Sequence, residues 1–466
     1  MEAFEQYGGE EKKNIKNFEE ILKRGESEFF ELSTYEFLIE HFSEIGEFDK
    51  ALRACELGIE QHPYSTELKV EIARVLFQKG DVQGALTAIE EAEMYQPNDE
   101  ELIILKANIF YQQEKYEESI ELFESIRPIG EDADMMFFTI GMAYQNIGNM
   151  EKAIENFKKT LESNIENEDA LLELTSCLDL VGQLDSSLPF YEKFIDADPY
   201  SATAWYNLGI VYDKLEQFDK ALGAYDYAII IEDDFSSAYF NMGNTLMNLE
   251  EYEKALDCFS KTQELEAWDD PNLFYCLGQC YYKLRDYEKA INLFHKAINL
   301  DNKSDQSLFG IGECLDSLER WYESLHYYKK ALELDDLNGE YIQAVAEAEY
   351  KIGNVVSAIE MYQTLVEFEC DNIDAWLDYS YIYHEQGDES KAIEIINEAI
   401  EFLPKESELH YRVAAYLILQ GNFKEAFISL ENALILNYEK HTVLFEFFPE
   451  LEKQKALIKI IDQYSR

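Results

Sequence analysis

The chain has 466 residues, and its 95 acidic side chains far outnumber the 39 basic ones, which gives a formal net charge of −56 at pH 7. Nucleic-acid binding depends on neutralising phosphates with Lys and Arg, so this balance argues against a nucleic-acid partner. The seven cysteines are odd in number and scattered, which favours a reducing, cytoplasmic location. No apolar run is long enough for a membrane span, and none is predicted.

The first 31 residues predict an N-terminal capping helix. Ile15, Phe18, Ile21 and Leu22 recur at helical spacing in a charged segment. The extreme N-terminus lacks the apolar core of a signal peptide. Because a stack of repeats needs its ends covered, we expect this apolar stripe to act as a cap. A docking site for a partner is the alternative interpretation.

From Ala51 onward a small residue recurs every 34 residues, with one step of 35 between Ala255 and Ala290. A fixed period of this length is typical of stacked helical units. The series is Ala51, Ala85, Ser119, Ala153, Ser187, Ala221, Ala255, Ala290, Ser324, Ala358, Ala392 and Ala426. A second small residue lies twelve positions earlier, with Ile39 and Thr175 as exceptions. Two small residues at fixed phase predict two closely crossing helices in each unit.

Glycine and proline mark the boundaries of these helices. The turn between the two helices often contains glycine, which accepts the left-handed backbone that ends a helix. These turn glycines are Gly46, Gly80, Gly148, Gly182, Gly353, Gly387 and Gly421. Prolines fall where the second helix must end, at Pro63, Pro97, Pro199 and Pro404.

The residues of one unit carry a family resemblance. The unit spans 204–234, and its recurring positions are Trp205, Leu208, Gly209, Tyr212, Ala221, Tyr225 and Ala228. It resembles a tetratricopeptide repeat (TPR), whose period is 34 residues. The resemblance implies an all-α fold, a right-handed TPR superhelix (α-solenoid) of about twelve helix-turn-helix repeats over 32–440. The chain is also similar to strongly acidic, uncharacterised TPR proteins of the Bacteroidetes, including the ending at 444–451.

Residues 441–466 predict C-terminal capping helices. Their apolar residues are Val443, Leu444, Phe447, Leu451, Leu457, Ile458 and Ile461. As at the other end, a partner-docking site is the alternative to a cap.

Two places interrupt the regular pattern. The extra residue between Ala255 and Ala290 is expected to lengthen the loop at 266–270 without disturbing a helix. Trp268 then either is partly exposed, as a candidate contact residue, or packs the loop. Pro189 falls inside a second helix. Because proline there removes a backbone hydrogen bond, we expect that helix to start late or to bend.

The sequence indicates no enzyme and no cofactor. The common nucleotide-binding, metalloprotease and hydrolase motifs are absent, and the seven histidines are scattered along the chain. Cys276 and Cys280 have a chelating spacing, but no further ligand accompanies them, so no metal is predicted. The acidity has two open interpretations, a solvated exterior or the recognition of a basic partner. Acidic pairs such as Asp233-Asp234 also suit the start of a helix, where they complement its dipole.

The TPR resemblance implies that the first helices line a concave groove, with exposed residues at the second, fifth, ninth and twelfth places of each repeat. In the middle of the chain the predicted partner-binding residues are Phe138, Met142, Gln145, Tyr206, Asn207, Phe240, Asn241, Asn244, Tyr275, Gln279, Tyr282 and Phe309. Aromatic rings offer contact area, and amides can pair with a ligand backbone. The alternative is that the fold itself favours these residue types.

The predicted function is a non-catalytic protein-interaction scaffold or adaptor that binds a partner peptide or protein in this groove. The alternative is a chaperone-like or regulatory receptor that compacts around a basic protein or peptide. No Lys stands at the fifth place of any repeat, which argues against the clamp that reads acidic chaperone tails. If the groove binds, replacing Tyr206, Phe240 and Tyr275 by Ala should abolish binding and leave the fold intact, because the rings are expected to face solvent.

Overall fold

The computed structural model describes residues 9–24, 28–126, 133–266 and 268–464. Within these ranges every regular element is helical, which confirms the all-α prediction. The chain divides into two compact units, Met1–Glu232 (unit 1) and Asp233–Arg466 (unit 2). None of the described helices combines the length and apolar character needed to cross a membrane.

Unit 1 contains thirteen described α-helices, and a short 3-10 helix at Leu184–Ser187 precedes α11. They are α1 (Gly9–Arg24), α2 (Leu32–Glu44), α3 (Phe48–Gln61), α4 (Glu67–Gln78), α5 (Val82–Glu93), α6 (Glu100–Gln112), α7 (Tyr116–Ser125), α8 (Ala133–Asn146), α9 (Met150–Ser163), α10 (Glu168–Leu180), α11 (Leu188–Ala197), α12 (Ala202–Lys214) and α13 (Phe218–Ile231).

Unit 2 contains fourteen described α-helices and 3-10 helices at Glu439–Thr442 and Pro449–Lys453. The α-helices are α14 (Ser236–Asn248), α15 (Tyr252–Leu265), α16 (Pro271–Lys283), α17 (Tyr287–Leu300), α18 (Asp305–Ser317), α19 (Trp321–Leu334), α20 (Gly339–Lys351), α21 (Val355–Phe368), α22 (Ile373–Glu385), α23 (Glu389–Phe402), α24 (Ser407–Gln420), α25 (Phe423–Leu436), α26 (Val443–Phe447) and α27 (Lys455–Tyr464).

From α2 to α25 the helices form twelve successive pairs, and in eleven of them the two helices pack directly against one another. In the pair of α10 and α11, the 3-10 helix at Leu184–Ser187 packs against both helices. Pair 1 is α2 with α3, and pair 12 is α24 with α25. Unit 1 holds pairs 1 to 6 and unit 2 holds pairs 7 to 12. Twelve pairs is the number that the sequence period predicts.

The small residues allow the two helices of a pair to approach closely. A Cβ added to Gly209 in α12 would lie 2.5 Å from Cε1 of Tyr225 in α13. In unit 2 a Cβ added to Gly243 would lie 2.7 Å from Cε1 of Phe259. These distances leave no room for a side chain, so the ring of the second helix packs directly on the backbone of the first.

The turns inside the pairs adopt the left-handed backbone that the glycines predict. All seven predicted glycines have positive φ, from 69° at Gly182 to 88° at Gly353 and Gly421. Five further turns reach the same region without glycine, which the sequence analysis did not foresee. These residues are Glu114, Glu216, Glu250, Arg285 and Glu319, with φ between 57° and 63°.

Both expected irregularities are confirmed. Near Pro189 the chain first forms the 3-10 helix, and α11 then starts late and has 10 residues where α13 has 14. The connection from α15 to α16 spans residues 266–270, one residue more than the connection from α17 to α18, and both flanking helices keep their usual lengths. Trp268 in this loop is 74% exposed, which agrees with the first of its two alternatives. Ala267 lies outside the described residues.

Both terminal segments bury part of their predicted apolar stripes. In unit 1, Ile15, Phe18 and Ile21 of α1 are buried, and the Phe18 ring centroid lies 5.7 Å from that of Phe42. In unit 2 the buried residues are Leu444, Phe448, Leu451, Leu457 and Ile461. Leu22, Val443 and Ile458 are half-buried and Phe447 is exposed. We propose, on the basis of these contacts, that both segments are terminal caps.

Candidate functional site

The predicted residues of unit 1 lie on α8 and α12. Phe138 is half-buried, with its ring centroid 5.8 Å from that of Phe157. Gln145 donates a hydrogen bond from Nε2 to Oε2 of Glu173 at 2.8 Å. Met142 and Tyr206 are half-buried, whereas Asn207 is buried. Phe138 therefore packs inside its own helix pair, whereas Gln145 bonds to the first helix of the next pair.

Asn207 lines an open cavity of about 130 Å³ between α10 and α12. The other lining residues are Leu172, Thr175, Ser176, Asp179, Leu184, Tyr191, Ile210, Val211 and Lys214. Leu184 belongs to the 3-10 helix, so the irregular start of the second helix in pair 5 forms part of the cavity wall. The Lys214 ammonium pairs with the Asp179 carboxylate at the edge. The cavity is thus mostly apolar, with its charged groups balanced.

The predicted residues of unit 2 lie on α14, α16 and α18, and all seven are half-buried. They are Phe240, Asn241, Asn244, Tyr275, Gln279, Tyr282 and Phe309. Two of the aromatic residues pack against rings of the second helix of their pair. The centroid distances are 5.5 Å from Phe240 to Phe259 and 5.9 Å from Tyr275 to Phe294. Tyr206 in unit 1 lies 6.0 Å from Tyr225 in the same way. The expectation that these three rings simply face solvent is therefore wrong.

Tyr282 and Phe309 line an open cavity of about 340 Å³ in unit 2, which we call the acidic cavity. Its remaining lining residues are Glu313, Asp316, Ser317, Tyr328, Glu340, Gln343, Ala344 and Glu347. Four of the lining side chains are carboxylates. Only one of them, Asp316, forms an ion pair within the described part of the chain, with Lys351 at 2.7 Å.

Glu313 shows how poorly the negative charge of this cavity is compensated. Burial raises the pKa of its carboxyl group to about 7, and the nearby charge of Glu340 acts in the same direction. Lys283 opposes the shift but does not cancel it. In α22, burial and the charge of Glu347 raise the pKa of Asp378 to about 6. A cation entering the acidic cavity would relieve this like-charge repulsion.

The sequence analysis missed the carboxylates of the acidic cavity. Glu313 and Asp316 occupy the ninth and twelfth places of α18, while Glu340 and Glu347 occupy the second and ninth places of α20. These are the places that selected the predicted residues in neighbouring pairs. Applying the same phase to the rest of α18 and to α20, one pair beyond Phe309, would have found them.

Cys276 and Cys280 have a chelating spacing, which raises the questions of metal binding and thiol reactivity. No group of three potential metal-ligating side chains occurs in the described part of the chain. Burial raises the pKa of both the Cys276 and the Cys280 thiol to about 12. Both cysteines are therefore protonated at neutral pH, a form that neither binds metal strongly nor reacts as a nucleophile.

Comparison with protein families identifies the type of repeat in several parts of the chain. Models described as tetratricopeptide repeat match residues 44–109, 136–164, 202–235 and 373–405. The chain carries tetratricopeptide repeats. A model of anaphase-promoting complex, cyclosome, subunit 3 matches residues 251–331, which cover the TPR pairs from α15 to most of α19.

One relative of the chain is also a TPR protein. The TPR repeat-containing protein YpiA of Bacillus subtilis (strain 168) is 24% identical over 146 residues, which are 31% of this chain. The match spans about a third of that relative, 34% of its length.

Two solved structures are also similar to parts of the chain. One is YrrB, titled a TPR protein with an unusual peptide-binding site, at 23% identity and a TM-score of 0.34. The match covers 40% of this chain and 95% of that one. The other is the APC/C hetero-tetramer Cut9-Hcn1, at 13% identity and a TM-score of 0.41. That match covers 84% of this chain and 97% of the other.

Proposed function

We propose that this TPR chain is a non-catalytic protein-interaction scaffold or adaptor, and that it binds basic segments of a partner protein at the acidic cavity of unit 2. The observation that carries the proposal is the composition of that cavity. Its wall combines aromatic rings with four carboxylates, and only Asp316 is ion-paired there within the described ranges. A Lys or Arg side chain satisfies both groups, through cation–π contact with a ring and charge-assisted hydrogen bonds to a carboxylate.

Of the two interpretations of the acidity, a solvated exterior and the recognition of a basic partner, we favour the second for this cavity. A carboxylate that only solvates the surface needs no burial, whereas Glu313 is held where burial raises its pKa to about 7. Burying such a group costs stability, and groups perturbed in this way cluster at functional sites. The twelve residues selected from the sequence contribute Tyr282 and Phe309 to this cavity, and we propose the other five of unit 2 as flanking contacts. The five of unit 1 are proposed as separate partner contacts on that unit.

The seven cysteines are free thiols, which supports a reducing compartment, so we propose a cytoplasmic location. The expected readout is recovery of the tagged native protein in the cytosolic fraction. Recovery in a secreted fraction would oppose it.

The proposed binding is tested by neutralising the cavity. We expect a short Lys- and Arg-rich peptide to bind the native protein, and a Glu-rich peptide of equal length not to bind. A variant with Glu313→Gln, Glu340→Gln and Glu347→Gln should bind the basic peptide about tenfold more weakly, mainly through slower association, because steering depends on the local field. Fluorescence anisotropy with a labelled peptide measures both affinities.

A matched variant separates local recognition from net charge. Glu333→Gln, Asp336→Asn and Glu360→Gln remove the same number of charges at exposed positions of unit 2. This control should bind nearly as tightly as the native protein. Equal weakening in both variants would mean that the basic peptide responds only to overall acidity, and the proposed site would be rejected.

A further inference from the structure

In unit 2, a segment near the end of the chain covers part of the first helices of pairs 11 and 12. Residues 443–451, here called the terminal segment, form α26 and the start of the following 3-10 helix, and α26 packs against α24. Beneath it, Leu377, Tyr411 and Ala415 are all buried. They stand at the fifth place of α22 and the fifth and ninth places of α24. The terminal segment therefore occupies the helix places that line the acidic cavity elsewhere in unit 2.

The terminal segment is held by apolar and aromatic anchors. Leu444 and Phe448 are buried, and the Phe448 ring centroid lies 5.3 Å from that of His384 and 5.6 Å from that of Tyr416. The anchors come from a helix of only five residues and the residue that follows it. A single helical turn with anchors spaced along it is thus enough to cover this face.

A cation on the first helix completes the contact. Arg412 of α24 is 3% exposed, and its guanidinium carbon lies 3.9 Å from the Phe447 ring centroid. Among the described residues its Nη2 atom has no hydrogen-bond acceptor, so the ring provides its contact on that side. Here the face supplies the cation and the covering segment supplies the ring.

The acidic cavity has carboxylates at a place where α24 is uncharged, and it lacks the cation of α24. The ninth place, Ala415 in α24, is Glu313 in α18 and Glu347 in α20. The place of Arg412 is taken by Gly310 and Ala344, neither of which carries charge. Phe309 and Tyr328 supply rings, with their centroids 5.2 Å apart. A segment that copied the terminal segment would meet carboxylates instead of a cation, and its own Glu446 would be repelled.

We infer that the partner segment recognised at the acidic cavity is a short helix with apolar or aromatic anchors and Lys or Arg between them, bound as the terminal segment is bound on pairs 11 and 12. This inference rests on the proposed function and specifies its ligand. The anchors would pack beside Phe309 and Tyr282, and the basic side chains would reach Glu313 and Glu347.

Three synthetic peptides test the inference on the full chain. The first copies residues 443–451 with both glutamates, Glu446 and Glu450, replaced by lysine. The second has the same lysines but serine in place of Leu444, Phe445, Phe447 and Phe448. The third is the unaltered acidic sequence. The first should bind at least about tenfold more tightly than either of the others, and Glu313→Gln with Glu347→Gln should reduce its affinity by about tenfold.

Each outcome distinguishes the ligand class from the site. Equal binding of the two lysine peptides would overturn the inference, because anchors would add nothing, while leaving the proposed function standing. Tight binding of the acidic peptide would also overturn it. If neither lysine peptide binds, both the inference and the proposed function fail. Carbon chemical shifts of an isotope-labelled first peptide should become helical on binding, and an extended bound conformation would contradict the short-helix assignment.

Discussion

The two units present different chemistry at equivalent places of their first helices. In unit 1 the cavity beside Asn207 is mostly apolar, its Lys214 and Asp179 are paired, and an irregular helix start forms part of its wall. In unit 2 the acidic cavity lies among regular helix pairs and owes its character to four carboxylates. The difference shows that a repeat framework can form a surface cavity either by deforming one repeat or by changing only its variable side chains.

The equivalent first-helix rings, one in unit 1 and two in unit 2, should contribute most to stability. Replacing Tyr206, Phe240 and Tyr275 together by Ala removes three half-buried rings, each stabilising its helix pair by about 1–2 kcal/mol. We therefore expect a marked fall in the urea midpoint. Loss of binding in this variant would not separate binding from folding. A variant as stable as the native chain would mean that the contacts with Tyr225, Phe259 and Phe294 contribute little.

The close helix crossing is the next largest effect, and it too should be common to both units. Gly278→Ala in unit 2 places a Cβ 2.6 Å from Cε1 of Phe294, and overpacking of this kind costs about 1–3 kcal/mol. Adding Phe294→Leu should recover part of the loss, since pair 12 combines Ala414 with Leu430.

Thermal and urea unfolding of the Gly278 variants can be compared with a control. Gly223→Ala lies in a helix with no atom within 4 Å of the added Cβ, so it should stabilise by about 0.5–1 kcal/mol. If both glycine variants behaved alike, the packing explanation for the small residues would be wrong.

The acidic cavity should make the stability of the chain sensitive to pH through Glu313 of unit 2. The pKa of Glu313 is 4.5 ordinarily and about 7 in the folded chain, so folding favours its protonated form. Stability should then fall as pH rises from about 4.5 to 7 and level off above 7. Glu313→Gln should stabilise the chain at pH 8 by about 1–3 kcal/mol and flatten this dependence. Urea midpoints at pH 5 and pH 8 measure it, with Glu333→Gln as the control.

The smallest expected effect concerns the turns, which recur in both units. Glu250 has φ of 60°, a backbone that glycine adopts without strain. Glu250→Gly should stabilise by up to about 1 kcal/mol, whereas Gly353→Ala, at φ of 88°, should destabilise by about 1 kcal/mol. Equal and opposite results from calorimetry would support left-handed strain, and destabilisation by both would show that the Glu250 side chain makes a compensating contact.

The period allowed much of the fold to be predicted, because helix crossings, turns and proline boundaries depend on local sequence. The left-handed turn at Glu250 was missed because the fold enforces a conformation that its residue type does not favour. The burial of Phe240 was missed because helical phase gives the direction of a side chain but not its depth. Depth depends on Phe259, nineteen residues later.

The carboxylates of the candidate site escaped prediction for another reason. In so acidic a sequence no single glutamate is informative. Glu313 becomes distinctive only when folding brings it beside Glu340 and removes it from water. That information is three-dimensional, although the repeat phase already placed each residue on the predicted groove-lining face of its own helix, α18 or α20.

The central claim, that the acidic cavity of unit 2 binds a basic segment, is tested most directly by locating a bound peptide. A lysine-rich peptide carrying a photoreactive benzophenone can be cross-linked to the native chain and mapped by mass spectrometry. The account predicts cross-links within residues 305–317 and 339–351, which form α18 and α20, and their loss in the variant with Glu313→Gln, Glu340→Gln and Glu347→Gln. Cross-links confined to unit 1, or unchanged in that variant, would contradict it.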